Sequence, residues 1–352
     1  MMKRFIHSAA RGAEFVIFLL FLVSGIAGRS DAAGLCCQVS SGAQEGLLES
    51  SSQRPGNPTL QISYSFTEMD EFRHGAARKS MSEVKEKSGY PVLPTDMGMT
   101  KYTLTASYDF NRHVTALVSV PWIRNTMDMT MQMKMKMGMM TKTVWMGHEM
   151  APVDGLGDIT VMGLYHFYPR GADNPSDIIT VGAGVKTPTG SSTEKNSNGN
   201  FIHAHMQPGT GSWDPIVSLL YTRTLSRGLF QADMTYQFTT RNSHGYEFGD
   251  SFTANALGTF AALDFLNVTG ALTYLHVGRA SDRDGEYTNP RSLMDDPENT
   301  GGDSIWFSPG VQLVPIRNFS IDAKVQVPLW ERVNGWQLVS DYRVLLGISY
   351  GF

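Results

Sequence analysis

From about Thr59 to the C-terminus the chain runs in segments of roughly ten residues, with apolar or aromatic side chains at alternate positions and small or polar ones between. That is the period-two repeat of strands with one greasy and one polar face. The last segment shows it best. Leu338, Ser340, Tyr342, Val344, Leu346, Ile348, Tyr350 and Phe352 form one face, and Val339, Asp341, Arg343, Leu345, Gly347, Ser349 and Gly351 the other. In the segment before it, Phe319, Ile321, Ala323, Val325, Val327 and Leu329 alternate with Ser320, Asp322, Lys324, Gln326 and Pro328. The same pattern predicts strands near 59–67, 101–110, 113–125, 157–168, 177–188, 213–224, 229–240, 251–262, 265–278, 304–314, 319–330 and 338–352. Twelve is an even number, which returns both ends of a closed antiparallel sheet to one side.

The connections alternate in length. Asn111-Arg112, Ser226-Arg227-Gly228, Asp264 and Ile316-Arg317-Asn318 are tight turns, and Pro169 to Ser176 is slightly longer. Between them fall long polar loops at about 68–100, 126–156, 189–212, 241–250 and 279–303, with a shorter one around 331–337. Trp122, Trp213, Trp306, Trp330 and Trp336 fall at the long-loop ends of strands, with Trp145 inside a long loop. Tyr108, Phe110, Phe167, Tyr168, Tyr350 and Phe352 fall at the short-turn ends. Two aromatic girdles on such a barrel mark the two interfaces of a membrane. The fold expected for 59–352 is therefore an all-β, transmembrane, antiparallel up-and-down barrel with short periplasmic turns and long extracellular loops. A secreted soluble sandwich would alternate too, but it would need neither the girdles nor the loop asymmetry.

The N-terminus and the composition sharpen this picture. Lys3, Arg4 and Arg11 precede the apolar stretch Phe15 to Ile26, and small residues follow to Ala33, which reads as a secretory signal peptide over 1–33. Beyond it no run of eighteen apolar residues occurs, so helical spans are not expected. The net charge of −4 gives no basic field for nucleic acid. Residues 34–58, polar and rich in Ser and Gly, read as a periplasmic segment or an inner plug. The only two cysteines, Cys36 and Cys37, are adjacent and can bridge only through a strained ring. A redox or metal role and an incidental pair both remain open for them.

Three strings carry a resemblance. Gly155-Leu156-Gly157-Asp158-Ile159 opens one strand, Val185-Lys186-Thr187-Pro188-Thr189-Gly190 closes the next, and Pro208-Gly209-Thr210-Gly211-Ser212-Trp213-Asp214 opens a third. From about Asp154 onward the chain resembles the MetA-pathway phenol-degradation family of outer-membrane transporters. The resemblance implies a barrel in the outer membrane that passes small molecules, hydrophobic or aromatic compounds among them. The glycines themselves read as architecture, placed where a loop turns sharply into a strand.

Candidate chemistry lies on the inner face and at the long-loop rim. The inward set includes Asp109, His166, Lys186, Asp233, Asp322, Lys324, Asp341 and Arg343, either paired to hold a polar interior or lining a conduit. Twelve strands enclose more than side chains fill in eight, but less than an open porin does, so the passage should be narrow or plugged. No nucleophile, base and orienting group gather anywhere, so no enzyme chemistry is expected. The remaining signal is MDMTMQMKMKMGMM, with methionine at every second position from Met127 to Met139. Placed beyond Trp122, it falls in the loop between the third and fourth strands. Thioethers and imidazoles of this loop and of the 189–212 loop on the same rim suit a copper ion: Met127, Met129, Met131, Met133, Met135, His148, Met150, His203, His205 and Met206. Lys134 and Lys136 oppose a cation, and the alternative is an amphipathic arm that packs on the barrel or binds a partner. The partners expected are outer-membrane lipid, a small-molecule substrate, and the barrel-assembly machinery reading a final strand that ends in Phe352.

Overall fold

A computed structural model describes residues 57–137, 140–172, 175–288 and 291–352. The segment read as signal peptide, the plug segment up to residue 56, and Cys36 and Cys37 lie outside the described residues. Twelve strands form the wall: β1 Pro58–His74, β2 Val92–Asp109, β3 Val114–Met137, β4 Thr160–Phe167, β5 Asp177–Lys186, β6 Asp214–Leu225, β7 Gly228–Gln237, β8 Ser251–Leu263, β9 Leu266–Val277, β10 Gly302–Ile316, β11 Phe319–Val333 and β12 Trp336–Gly351. Each pairs antiparallel with its neighbours in chain order, and β12 returns to β1 from Thr59↔Gly351 to His74↔Trp336. The barrel is closed, so no edge is left unpaired in lipid. No helix among the described residues is long and apolar enough to cross a membrane.

The outward positions form an apolar belt. Leu60 and Ile62 of β1, Tyr102, Leu104 and Tyr108 of β2, and Leu346, Ile348 and Tyr350 of β12 are all exposed. Trp122, Trp213 and Trp330 bound the belt on the long-loop side, and Phe110, Phe167 and Phe352 on the other. Two tryptophans depart from the expected girdle. Trp306 points into the barrel and is buried, its Nε1 donating to Ser304 Oγ at 2.8 Å. Trp336 is partly buried against the mouth and lies 4.5 Å from the His74 ring. Leu338 and Ser340 are buried as well, instead of facing lipid, because β1 is bulged around Met69 and the register with β12 shifts there.

The long loops expected at 68–100 and 126–156 are largely strand. β1 and β2 pair as far as Met69↔Met97, and β3 runs on past the belt to Met137. Past the girdle the two faces exchange polarity without a break in the alternation. On β3 the outward side passes from Val118, Val120 and Trp122 to Arg124, Thr126 and Asp128, while the inward side passes from Thr115 and Ser119 to Met127 and Met129. Inside the bilayer the outward face must be apolar, and above it water favours polar groups outside and apolar ones inside. Beyond Asp128, β3 forms a hairpin arm with Met140–Glu149, in register from Asp128↔Glu149 to Met137↔Met140. A short strand, Ala77–Lys79, turns back on β1, and helix α1, Met81–Lys87, follows with a Ser80/Glu83 capping box.

Candidate functional site

The inner surface of the mouth is an apolar core built largely of methionine. Met69 of β1, Met97 of β2 and Met127 of β3 are direct register partners across three adjacent strands, exposed by 0%, 0% and 2%. Met99 and Met129 are the next inward positions on β2 and β3. Against this wall pack Val84 of α1, Leu338 of β12, Ile202 and Met206 from one loop, and Leu293 and Met294 from another. Asn125 Nδ2 donates to the Met206 carbonyl at 3.2 Å, fixing the first of those loops to β3.

Polar contacts hold the loops over the mouth. His203 Nδ1 pairs with Asp295 Oδ1, joining the two loops, and Val92 N donates to the Arg291 carbonyl at 3.0 Å. Burial alone would lower the His203 pKa, but the charge and hydrogen bond of Asp295 prevail and raise it. His205 packs edge-on against the neighbouring rings of Tyr246 and Phe248, where burial, with some repulsion from His203, lowers its pKa to about 4. Tyr90 donates its hydroxyl to Asp296, and burial together with that carboxylate raises it to about 12.

Below the mouth the lumen is not uniformly polar. Leu117 of β3, Met162 and Leu164 of β4, and Ile216 and Leu220 of β6 form an inward apolar stripe. Gly182 and Gly184 of β5 make room for it, since a Cβ on Gly182 would lie 2.8 Å from Leu164 Cδ2 and one on Gly184 2.4 Å from Met162 Cγ. The stripe was legible in Met162, Leu164, Ile216 and Leu220, which make β4 and β6 apolar on both faces. The expectation of a polar inner face passed over them.

The expected lining charges divide into groups. Asp109 and His166 meet near the short-turn end through Thr115, whose Oγ1 donates to Asp109 Oδ1 at 2.5 Å and lies 2.9 Å from His166 Nε2; His166 Nδ1 lies 2.8 Å from Thr180 Oγ1. Asp233 accepts from Asn255 Nδ2 at 3.2 Å and Asp322 from Gln312 Nε2 at 2.9 Å, with Lys324 half-buried on the same inner face. Arg343 lies over Trp306, 4.1 Å from the ring centroid. Asp341 pairs at 3.5 Å with the exposed Arg78. Lys186 is buried in a closed ion-pair knot, 2.6 Å from Asp214 Oδ2 and 3.6 Å from Asp158 Oδ2.

That knot gathers the three strings of the resemblance. Asp158 accepts from Gly190 N at 3.0 Å and from Thr210 N at 2.8 Å, and a Cβ on Gly209 would lie 2.5 Å from the Gly190 carbonyl carbon. Their glycines are close-approach positions, as architecture requires.

The proposed metal donors scatter. Met127 and Met129 are in the mouth core with Met206, while Met131 and Met150 pack partly against it. Met133, Met135 and His148 are exposed on the arm. His203 and His205 diverge, one to Asp295 and one into the Tyr246/Phe248 rings. The ten donors therefore do not form one site. Met69 and Met97, the register partners beside Met127, were not among those ten, because their meeting depends on register between strands.

The strand path is that of known outer-membrane channels. The chain is similar to the COG4313 outer-membrane channel from Pseudomonas putida F1, at 12% identity over 85% of this chain and 96% of that one, with a TM-score of 0.53. It is also similar, with a TM-score of 0.41 in each case, to a Pseudomonas aeruginosa FadL homologue (11% identity; 84% of this chain, 90% of that) and to the Ralstonia pickettii toluene transporter TbuX (8% identity; 85% and 90%). No family model and no curated protein matches the chain.

Proposed function

We propose that the barrel is an outer-membrane channel for small apolar molecules, hydrophobic or aromatic compounds, in line with the phenol-degradation resemblance. The carrying observation is that the inner side carries two apolar clusters, the methionine core at the mouth and below it the Leu117/Met162/Leu164/Ile216/Leu220 stripe. A membrane barrel needs no apolar core inside to stay closed, because its strands are bonded all round. Apolar lining inside the wall instead suits a solute that leaves water on entering. The narrow passage left by twelve strands and packed loops disfavours large hydrated solutes.

Uptake of toluene and of a sugar of similar size, measured in cells that lack other channels for either, tests this reading. Wild type is expected to speed toluene entry and leave sugar entry unchanged. Leu164→Asp and Ile216→Glu, which put charge in the stripe, should abolish the toluene gain while the barrel still shows heat-modifiable migration. Equal gain for both solutes, or full toluene uptake by both variants, would sink the proposal.

A further inference from the structure

We propose that Met69, Met97 and Met127 form a binding site for one soft monovalent cation, Cu(I) or its congener Ag(I). The register places the three residues in one row, one from each of three neighbouring strands, and all three are buried on the inner face. Directly opposed residues on adjacent strands have Cβ atoms about 5 Å apart, within reach of a flexible, unbranched side chain. Thioether donors select Cu(I) over hard ions, and the site is closed to water, which removes the competing ligand of Na⁺, Mg²⁺ and Ca²⁺.

Packing alone does not ask for sulfur at these positions. Leu93, Leu293 and Leu338 fill the same core, and Leu and Met exchange there at small cost. All three positions of the row nevertheless carry methionine. Glu68 and Asp70 flank Met69, Asp96 precedes Met97, and Asp128 follows Met127, so the strand alternation puts carboxylates on the opposite side of the same three strands, with no cation interleaved among them in sequence. Asp96 and Asp128 are themselves register partners. Lys134 and Lys136, which stood against a cation in the sequence, lie seven and nine residues along the arm from Met127, roughly 23 and 30 Å at the rise of a strand.

The site does not depend on the channel reading, since a barrel that passes no toluene can still bind silver. The test uses the full chain folded in detergent with Cys36→Ser/Cys37→Ser, so that thiols contribute nothing, and Ag(I) as a redox-stable probe followed by titration calorimetry. One ion per chain is expected. Met69→Leu/Met97→Leu/Met127→Leu keeps the apolar volume and should weaken binding at least tenfold, with heat-modifiable migration retained. Met133→Leu/Met135→Leu, on the exposed arm, should bind as the parent does. X-ray absorption of the Cu(I)-loaded parent should show sulfur-only coordination. Absence of silver binding, unchanged binding in the triple variant, or loss on the arm variant instead would each overturn the proposal.

Discussion

At the residue scale, two histidines two positions apart respond to pH in opposite directions. His205 is buried and held at about 4, so its contribution is complete above the ordinary value near 6.5 and is lost as pH falls towards 4, on the order of 3 kcal/mol in all. His203 is raised by Asp295, so its pair is complete below about 6.5 and is lost as pH rises through the raised value. Proteolysis of the long loops should therefore quicken at pH 4 to 5, and His205→Phe, which keeps the ring packing, should remove that acid limb. An unchanged acid limb in His205→Phe would refute the assignment. Gly209 gives a second case. Its missing Cβ faces the Gly190 backbone at 2.5 Å, so Gly209→Ala should lower the unfolding free energy in urea by about 1–3 kcal/mol. Such single-residue roles were partly legible. Gly155, Gly157 and Gly209 read as architecture from their strings, and Trp306 could have been placed inside from its parity opposite Ile305 and Phe307, which are exposed.

At the element scale, the alternation alone located the strands of the belt but not their ends. It stays unbroken along β3 from Val114 to Met137, while the meaning of each face reverses near Trp122. Reading apolar as outward therefore made the upper halves of β1, β2 and β3 look like loop. The reversal gives a measurable contrast between two apolar side chains that are both exposed. Leu104→Arg puts a charge in lipid and should cost about 2–4 kcal/mol if it lies near the midplane. Met133→Arg, on the arm and in water, should change stability by less than about 0.5 kcal/mol. Similar costs for the two would mean that the arm also sits in the bilayer. Pairing between β11 and β12 is likewise interrupted: it ends at Gln326↔Arg343, two residues before Pro328, which has no N–H to give to a ladder.

At the scale of the whole molecule, strand number, closure and loop asymmetry followed from counting periods and turns. The mouth core did not, because it joins residues from Met69 to Leu338 that only the closed barrel brings together. With the loops packed as they are, planar-bilayer conductance should fall well below that of an open sixteen-stranded porin. Conductance of porin size would show that the loops leave the mouth in a membrane. The core's span along the chain also bears on assembly. Met69 and Phe72 come from the first strand and Leu338 from the last, so the mouth cannot pack until synthesis is complete and the seam between those strands has zipped. Contacts of that sequence separation form late. The methionines of the mouth thus act as a lock on the finished cylinder, and pulling the first and last strands apart means stripping that sulfur-rich cap into water before the first hydrogen bond of the seam can give way.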